Sequence, residues 1–497
     1  MTTIIPRWEW RTFAPNLRSA DAVFAGLEPS ATVESDETYF LAPGCENVKV
    51  RDELIDIKIL REIDKDGLER WEPVLKHAFP LPAEHVATVL SSLKLPATAV
   101  SGDVSQAELE RLVSGQGGRV VPVHKSRVRY TVGGCMAERS ELHAGGRTVT
   151  TVAVEMTDAA AVVAAVASLG LADYLNTSYP AGLVALLDDV PPRYAVIDVG
   201  TNSVKFHIGE RGADGGWRTV VDRAEVTRLG EGLAAGGEIQ PAPLDRTIEA
   251  IRGMAEEARR SGALAIAAVG TEGLRQASNG AAAVARIREQ TGVRVDVIPG
   301  DEEGRIAYLA VRAGLGAVDG SLVIFDTGGG SSQFTFGDAD GVDEQFSVPV
   351  GAVRFTERFH LDRIVDDDTL RQALAAIAAD LGRIDGRPSP ETLVGMGGAI
   401  TNLTAVKHRM ATYDPAVVQG SVLERAEIDR QIELYRSRDA DGRRTIVGLQ
   451  PKRAEVILAG ACIVRTVLDK LGKDRLTVSD RGLRHGVLEE RFGGSQP

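Results

Sequence analysis

YAVIDVGTNSVKFHIG (Tyr194–Gly209) and LVIFDTGGGSSQFTFG (Leu322–Gly337) decide how this chain is read. Each runs from an apolar strand into Asp-x-Gly, then a turn of small residues, then a second strand. The strand sets Asp198 or Asp326 at its carboxyl end. The glycines let backbone N–H groups come close to an anion with no Cβ in the way. A single Asp-x-Gly is an ordinary hairpin turn, where Asn and Ser are favoured for local reasons. Two copies, each with hydroxyl residues, point to two related halves facing one cleft, able to hold a phosphate chain and a divalent cation between two acids. Gly200, Thr201, Asn202 and Ser203 supply the phosphate contacts of the first turn, and Gly328, Gly329, Gly330 and Ser331 those of the second.

Outward from these turns the pattern is α/β. A helix over 244–260, a strand over 264–270, a helix over 280–290 and a strand over 293–298 follow the first turn. GDEEG (Gly300–Gly304) opens a further helix, whose acids either complement the helix N-terminus or place one carboxylate as a general base for water. In TEGLRQASN (Thr271–Asn279), Arg275 either grips a phosphate oxygen through its guanidinium fork or is an exposed helix arginine. Gly395, Gly397 and Gly398 precede a helix; they read as an anion- or nucleotide-binding start or as close strand–helix packing. VSDRGLRHG (Val478–Gly486) reads as a structural turn entering a helix.

Residues 1–190 differ. Charged strands occur in VKVRDELIDIKIL (Val48–Leu60), VHKSRVRYTV (Val123–Val132) and TVTTVAVEM (Thr148–Met156), with helices near 83–93 and 159–169. Lys49 and Arg51 share one strand face, Asp56 and Lys58 another beyond a turn, and Lys125, Arg127 and Arg129 a third, by the two-residue period. Such faces are either solvated or line a basic channel for a polyanion. VPPR (Val190–Arg193) is a stiff joint before the first apolar strand.

The 497 residues allow several domains, and 43% hydrophobic with 26% charged residues is ordinary for a globular chain. A net charge of −13 argues against broad nucleic-acid binding, but not against a local pocket for an anion. Cys45, Cys135 and Cys462 are far apart and fit a reduced cytoplasmic thiol set. No signal-like or membrane-spanning run is present in the sequence, so a cytoplasmic protein with no membrane partner is expected.

DVGTNSVK, VGTEGLRQASN, GDEEG, DTGGGSSQ, VGMGGAITNL, GLQPKRAEVI and SDRGLRHG, in that order, resemble the exopolyphosphatase/guanosine pentaphosphate phosphatase (Ppx/GppA) family of the actin-like superfamily over about 192–492. The resemblance implies two actin-like (ribonuclease H-like) lobes, 191–318 and 319–497, around a cleft. It also implies Mg²⁺ (or another divalent cation) and release of terminal phosphate from inorganic polyphosphate or guanosine pentaphosphate. Glu303 matches the family's catalytic base, Arg275 its phosphate-contacting arginine, and Asp198 and Asp326 the acids of the two loops and of the metal. The chain departs from the family's usual Gly-Gly-Gly-Ser-Thr-Glu at Gln333, which keeps the size of glutamate but removes the charge. A non-catalytic polyphosphate or alarmone sensor and a phosphotransferase using ATP or polyphosphate are the alternatives, and a homodimer is consistent with the family.

Residues 1–190 resemble the CYTH domain, a triphosphate-tunnel fold, in NVKVRDELIDIKIL, KSRVRYTV and TVAVEM. That implies an α+β unit with an antiparallel barrel, binding polyanions through Lys49, Arg51, Lys58, Arg127 and Arg129. In VESDETYF (Val33–Phe40), Glu34 and Asp36 stand at the acids of that family's Glu-x-Glu-x-Lys signature, with Thr38 at the lysine.

Overall fold

The computed structural model describes residues 6–493 apart from 234–236, 316–319 and 339–340. The boundary expected at 318/319 lies outside the described residues. The N-terminal part is a closed eight-stranded antiparallel barrel. Its strands are β1 (Arg7–Ala14), β2 (Ala31–Leu41), β3 (Asn47–Arg51), β4 (Leu54–Ile63), β5 (Glu69–Ala78), β6 (Arg119–Val132), β7 (Cys135–Ala144) and β8 (Arg147–Met156), joined in the order β1-β5-β4-β3-β2-β6-β7-β8. Closure leaves no free edge, and alternation sorts the side chains. Val48, Val50, Ile55 and Ile57 pack outward on the helix Ala83–Ser92. The helix Tyr179–Leu187 seals one end of the barrel, with Tyr179 stacked on Tyr39 and edge-on to Phe13. Gly182 permits this seal, since a Cβ there would meet the Phe13 ring at 2.3 Å.

Alternation also corrects one expectation. In β2 the buried positions are Glu37, Tyr39 and Leu41 on one face and Phe40 on the other; Glu34 and Asp36 are exposed, beside the His124 ring. The signature acids assigned to that strand therefore face solvent, because Glu37 takes the inner position in a strand of period two. An acid and a base two residues apart do face inward on β1, where Glu9 accepts from Arg11 at 3.1 Å.

The remainder forms two lobes. The first sheet contains β9 (Arg193–Val199), β10 (Ser203–Arg211), β11 (Trp217–Val226), β12 (Ala263–Gly270) and β13 (Val295–Val297), in the order β11-β10-β9-β12-β13. The second contains β14 (Leu322–Thr327), β15 (Ser332–Gly337), β16 (Val342–Val348), β17 (Thr392–Met396), β18 (Val422–Glu424) and β19 (Arg475–Ser479), in the order β16-β15-β14-β17-β19-β18. The same pattern repeats: a three-strand antiparallel meander, then two strands added in parallel beside its first strand, with β18 closing the second sheet antiparallel to β19. This is the duplication expected from the two Asp-Gly hairpins, in the actin-like form that the family resemblance implies.

Each sheet is covered by helices. Pro241–Arg260 buries its apolar face on the first, and Ile457–Lys470, buried on nearly every side, fills the core of the second. Two helices join the lobes. Gly300–Leu315 leaves the first sheet and sets Tyr308 and Val311 against Leu322 and Ile324 of the second. Leu483–Phe492 follows the second sheet yet packs Leu483, Val487 and Phe492 on the first. The barrel is also stitched on. Leu175 N–H donates to Leu264 O and Ile266 N–H to Asp173 O, while Arg491 bridges Asp173 and Asp296. The VPPR joint is thus backed by a second connection through 173–175. All three cysteines are free, and no helix among the described residues is long and apolar enough to cross a membrane.

Candidate active site

The two hairpins bring Asp198 and Asp326 to the carboxyl ends of paired central strands, where parallel β/α sheets place their ligands. Asp198 is 2% exposed. Its turn is closed by Gly200 N–H on Ser203 O at 3.2 Å, and Thr201 and Asn202 stand exposed at the tip. Thr201 is hemmed in by Gly230 and Gly273, where a Cβ would lie 2.3 and 2.9 Å from it. The second turn is closed by Gly328 N–H on Ser331 O at 2.9 Å and braced by the start of the helix Ala352–Phe359, whose Ala352 and Val353 N–H groups donate to Gly328 and Gly329 O.

Asp326 leans on Gly397, the residue before the helix Gly398–Lys407. A Cβ at Gly397 would fall 1.9 Å from Asp326 Oδ1, and its φ of +89° is one that side chains rarely adopt. Gly398 likewise lies under Arg453, with 2.4 Å between a would-be Cβ and Nη2. These two glycines admit an acid and a base of the cleft, and Gly395 packs against Ile400.

Glu303, in the first turn of Gly300–Leu315, faces both aspartates. Burial first, then Asp198, push its carboxyl up to about 7; Arg275 and Lys205 pull it back, and Asp326 pushes again. Arg275 Nη1 lies 3.6 Å from Glu303 Oε2 and donates to Ile298 O at 2.7 Å. Asp326 too is raised, by burial and by Asp198. The structure therefore collects Asp198, Asp326, Glu303, Arg275 and both turns around one cleft.

Several cleft residues were not singled out from the sequence. Lys205 Nζ donates to Asp198 Oδ2 at 3.0 Å, and Asp198 foremost holds that ammonium above its ordinary range. Lys205 pairs in register with Asp198 as Gln333 does with Asp326. The two hairpins thus carry a cation and a neutral amide at equivalent places. Gln333 Nε2 donates to Ser331 Oγ, which donates to Glu272 Oε2 of the other lobe, both at 2.9 Å. Arg453 and Arg484 add positive charge toward Asp326. The signal for Lys205 was present, since a strand two residues past the turn must face back along the first strand.

Three carboxylates gathered at one cleft, two of them raised by burial and by their acidic neighbours, suit a divalent cation. Asp198 and Asp326 could hold such an ion, since charge neutralisation there relieves the crowding that Glu303 and Asp326 register.

The barrel cations form a separate cluster. Lys49, Arg51, Lys125 and Arg127 converge on the fully buried Glu37 carboxylate at 3.1, 3.8, 2.7 and 3.6 Å, and against burial Lys125 and then Lys49 hold it well below the usual carboxylate range. Lys125, the most buried of the four, is pushed well down by burial and by Lys49. Arg129 pairs with Glu138 at 3.3 Å, and Lys58 acts on Glu9. The solvated-face alternative fails for Lys125 and Arg127, which are 3% and 5% exposed.

The sequence pattern of the Ppx/GppA phosphatase family matches residues 210–493, more than half of the chain and beginning just after the first hairpin. Exopolyphosphatase 2 of Mycobacterium tuberculosis is 29% identical over 318 residues, which are 59% of this chain and 97% of that protein. A bifunctional 3-dehydroquinate synthase/phosphatase of Fusobacterium nucleatum is 27% identical over 316 residues, 60% of this chain but only 46% of the relative's length. The crystal structure of the Aquifex aeolicus Ppx/GppA family member superposes with a TM-score of 0.55 at 32% identity, covering 60% of this chain and 97% of that one. With this lobe topology, these turns and this span of similarity, the chain belongs to the Ppx/GppA phosphatase family.

Proposed function

We propose that the cleft hydrolyses the terminal phosphoanhydride bond of inorganic polyphosphate, releasing orthophosphate. The observation that carries this reading is Glu303, a carboxyl near neutrality that faces two aspartates and an arginine between two phosphate-type turns. A base with a pKa near the working pH is suited to take a proton from water.

In this reading the terminal phosphate lies between Gly200–Ser203 and Gly328–Ser331, with backbone N–H groups and Arg275 on its oxygens. Water attacks phosphorus from the side of Glu303, whose carboxylate takes the proton. The bond to the bridging oxygen breaks, and that oxygen leaves on the shortened chain. A divalent cation, Mg²⁺ in the first instance, supplies charge neutralisation on the transferring phosphoryl group when held by Asp198 and Asp326. The barrel, read as a CYTH-like unit over 1–190, offers Lys49, Arg51, Lys58, Arg127 and Arg129 as a second polyanion site that raises the local concentration of long chains. Cytoplasmic action and a homodimer belong to the same reading.

Gln333 favours one second reading, a sensor that binds polyphosphate or alarmone without turnover. Mg²⁺-dependent phosphate release from long-chain polyphosphate, with Glu303→Gln beside the parent protein and guanosine pentaphosphate as a parallel substrate, tests both. Release that collapses in the variant supports the hydrolase; tight binding with no release from either protein selects the sensor.

A further inference from the structure

On β10, two residues beyond Lys205 and on the same face, His207 pairs in register with Asp222 of β11. His485, from the helix that returns from the second lobe, completes a cluster whose nitrogen and oxygen atoms all lie within 4.8 Å of one another. His207 is 1% exposed, and its Nδ1 is buried with no hydrogen-bond partner among the described residues. A buried imidazole nitrogen left without a partner is uncommon and calls for an explanation.

The separations supply one. His207 Nδ1 and His485 Nε2 lie 3.7 and 3.6 Å from Asp222 Oδ2. Both are too long for hydrogen bonds. They are close to the edge of a tetrahedron around a metal bonded at about 2.0–2.1 Å, which is about 3.4 Å. The surroundings also fit. Arg484 grips both Asp222 oxygens, at 2.8 and 2.9 Å, and so orients that carboxylate as an outer partner would. Asp480 lies close enough to act on both Asp222 and His207, adding negative charge to a cluster where Arg484 already offsets Asp222.

We propose that His207, Asp222 and His485 form a binding site for a borderline divalent transition-metal ion of the zinc class, separate from the acids of the cleft. Two imidazoles and one carboxylate suit such an ion, whereas Mg²⁺ prefers an all-oxygen set. Occupancy pins the helix Leu483–Phe492 to the first sheet about 6.6 Å along β10 from Lys205. One hydrogen bond must yield. Gly482 N–H donates to His485 Nδ1 at 3.2 Å, and a ring bound through Nε2 carries its remaining proton on Nδ1.

The test uses the full chain, stripped with chelator, and Zn²⁺ titrated in competition with a chromophoric chelator. One equivalent should bind in the presence of excess Mg²⁺, and a Zn²⁺-dependent rise in Tm should accompany it. His485→Gln, which is less buried, and His207→Gln should each weaken binding by about 10- to 100-fold or more, while Asp326→Asn should leave this equivalent intact. Zn²⁺ affinity unchanged from the parent in both histidine variants, or loss in Asp326→Asn alone, overturns the assignment. Absence of binding in the parent protein also overturns it.

Discussion

Glu303 makes a quantitative demand on the protein. Its carboxyl rises from an ordinary 4.5 to about 7, chiefly by burial and by Asp198. The folded state therefore holds a proton that the unfolded chain has lost, so folding stability falls as pH climbs from about 4.5 through about 7. Integrating that linkage, the charged carboxylate costs about 1.4 kcal/mol at about pH 5.5 and about 3.4 kcal/mol at about pH 8.5. Glu303→Gln removes the titration but leaves the shape. It also loses the 3.6 Å pairing with Arg275, a partly exposed contact worth at most about 1 kcal/mol. The variant should thus gain on the parent by about 2 kcal/mol between those two pH values. At about 2.1 cal/mol/K of unfolding entropy per residue, 1 kcal/mol shifts the Tm of a 497-residue chain by about 1 °C, so the Tm difference widens by about 2 °C. Thermal unfolding of both proteins in EDTA across that range measures it. Added Mg²⁺ should narrow the gap, because a cation at Asp198 and Asp326 removes part of the repulsion. A gap that stays constant with pH, or shrinks toward alkaline pH, would refute the argument that Glu303 is held near neutrality.

Gln333→Glu sets a second carboxylate in register with the buried Asp326; in EDTA its Tm should fall by the equivalent of about 1 kcal/mol, recover with Mg²⁺, and be accompanied by faster phosphate release. Gly397→Ala puts a Cβ where Asp326 Oδ1 now lies; displacing that acid by about 1 Å should lower kcat by about 100-fold, measured by single-turnover release. Arg51→Ala combined with Arg129→Ala should raise KM for long polyphosphate several-fold and leave tripolyphosphate nearly unchanged, and equal effects on both lengths would count against the barrel as a second binding site.

Much of this protein was legible in the order of its residues. The two Asp-Gly hairpins announced a duplicated α/β core because an apolar strand, a flexible turn and a returning strand are local events. The same locality placed Glu303 on a helix start and Lys49, Arg51, Arg127 and Arg129 on strand faces. Strand phase was harder: one residue of slip decides which face is inner, and the acids taken from β2 proved to be the outer ones, with Glu37 inside. Only the tertiary structure decided which distant groups meet. Lys205 between the two aspartates, Arg453 over Gly398, Glu272 against Ser331 and His485 against the His207–Asp222 pair all join segments far apart in sequence. Burial set by the whole fold moves Glu303 to about 7 and leaves one nitrogen of His207 without a hydrogen-bond partner among the described residues. Periodicity is written in neighbours along the chain, whereas desolvation and charge crowding depend on everything packed around a group.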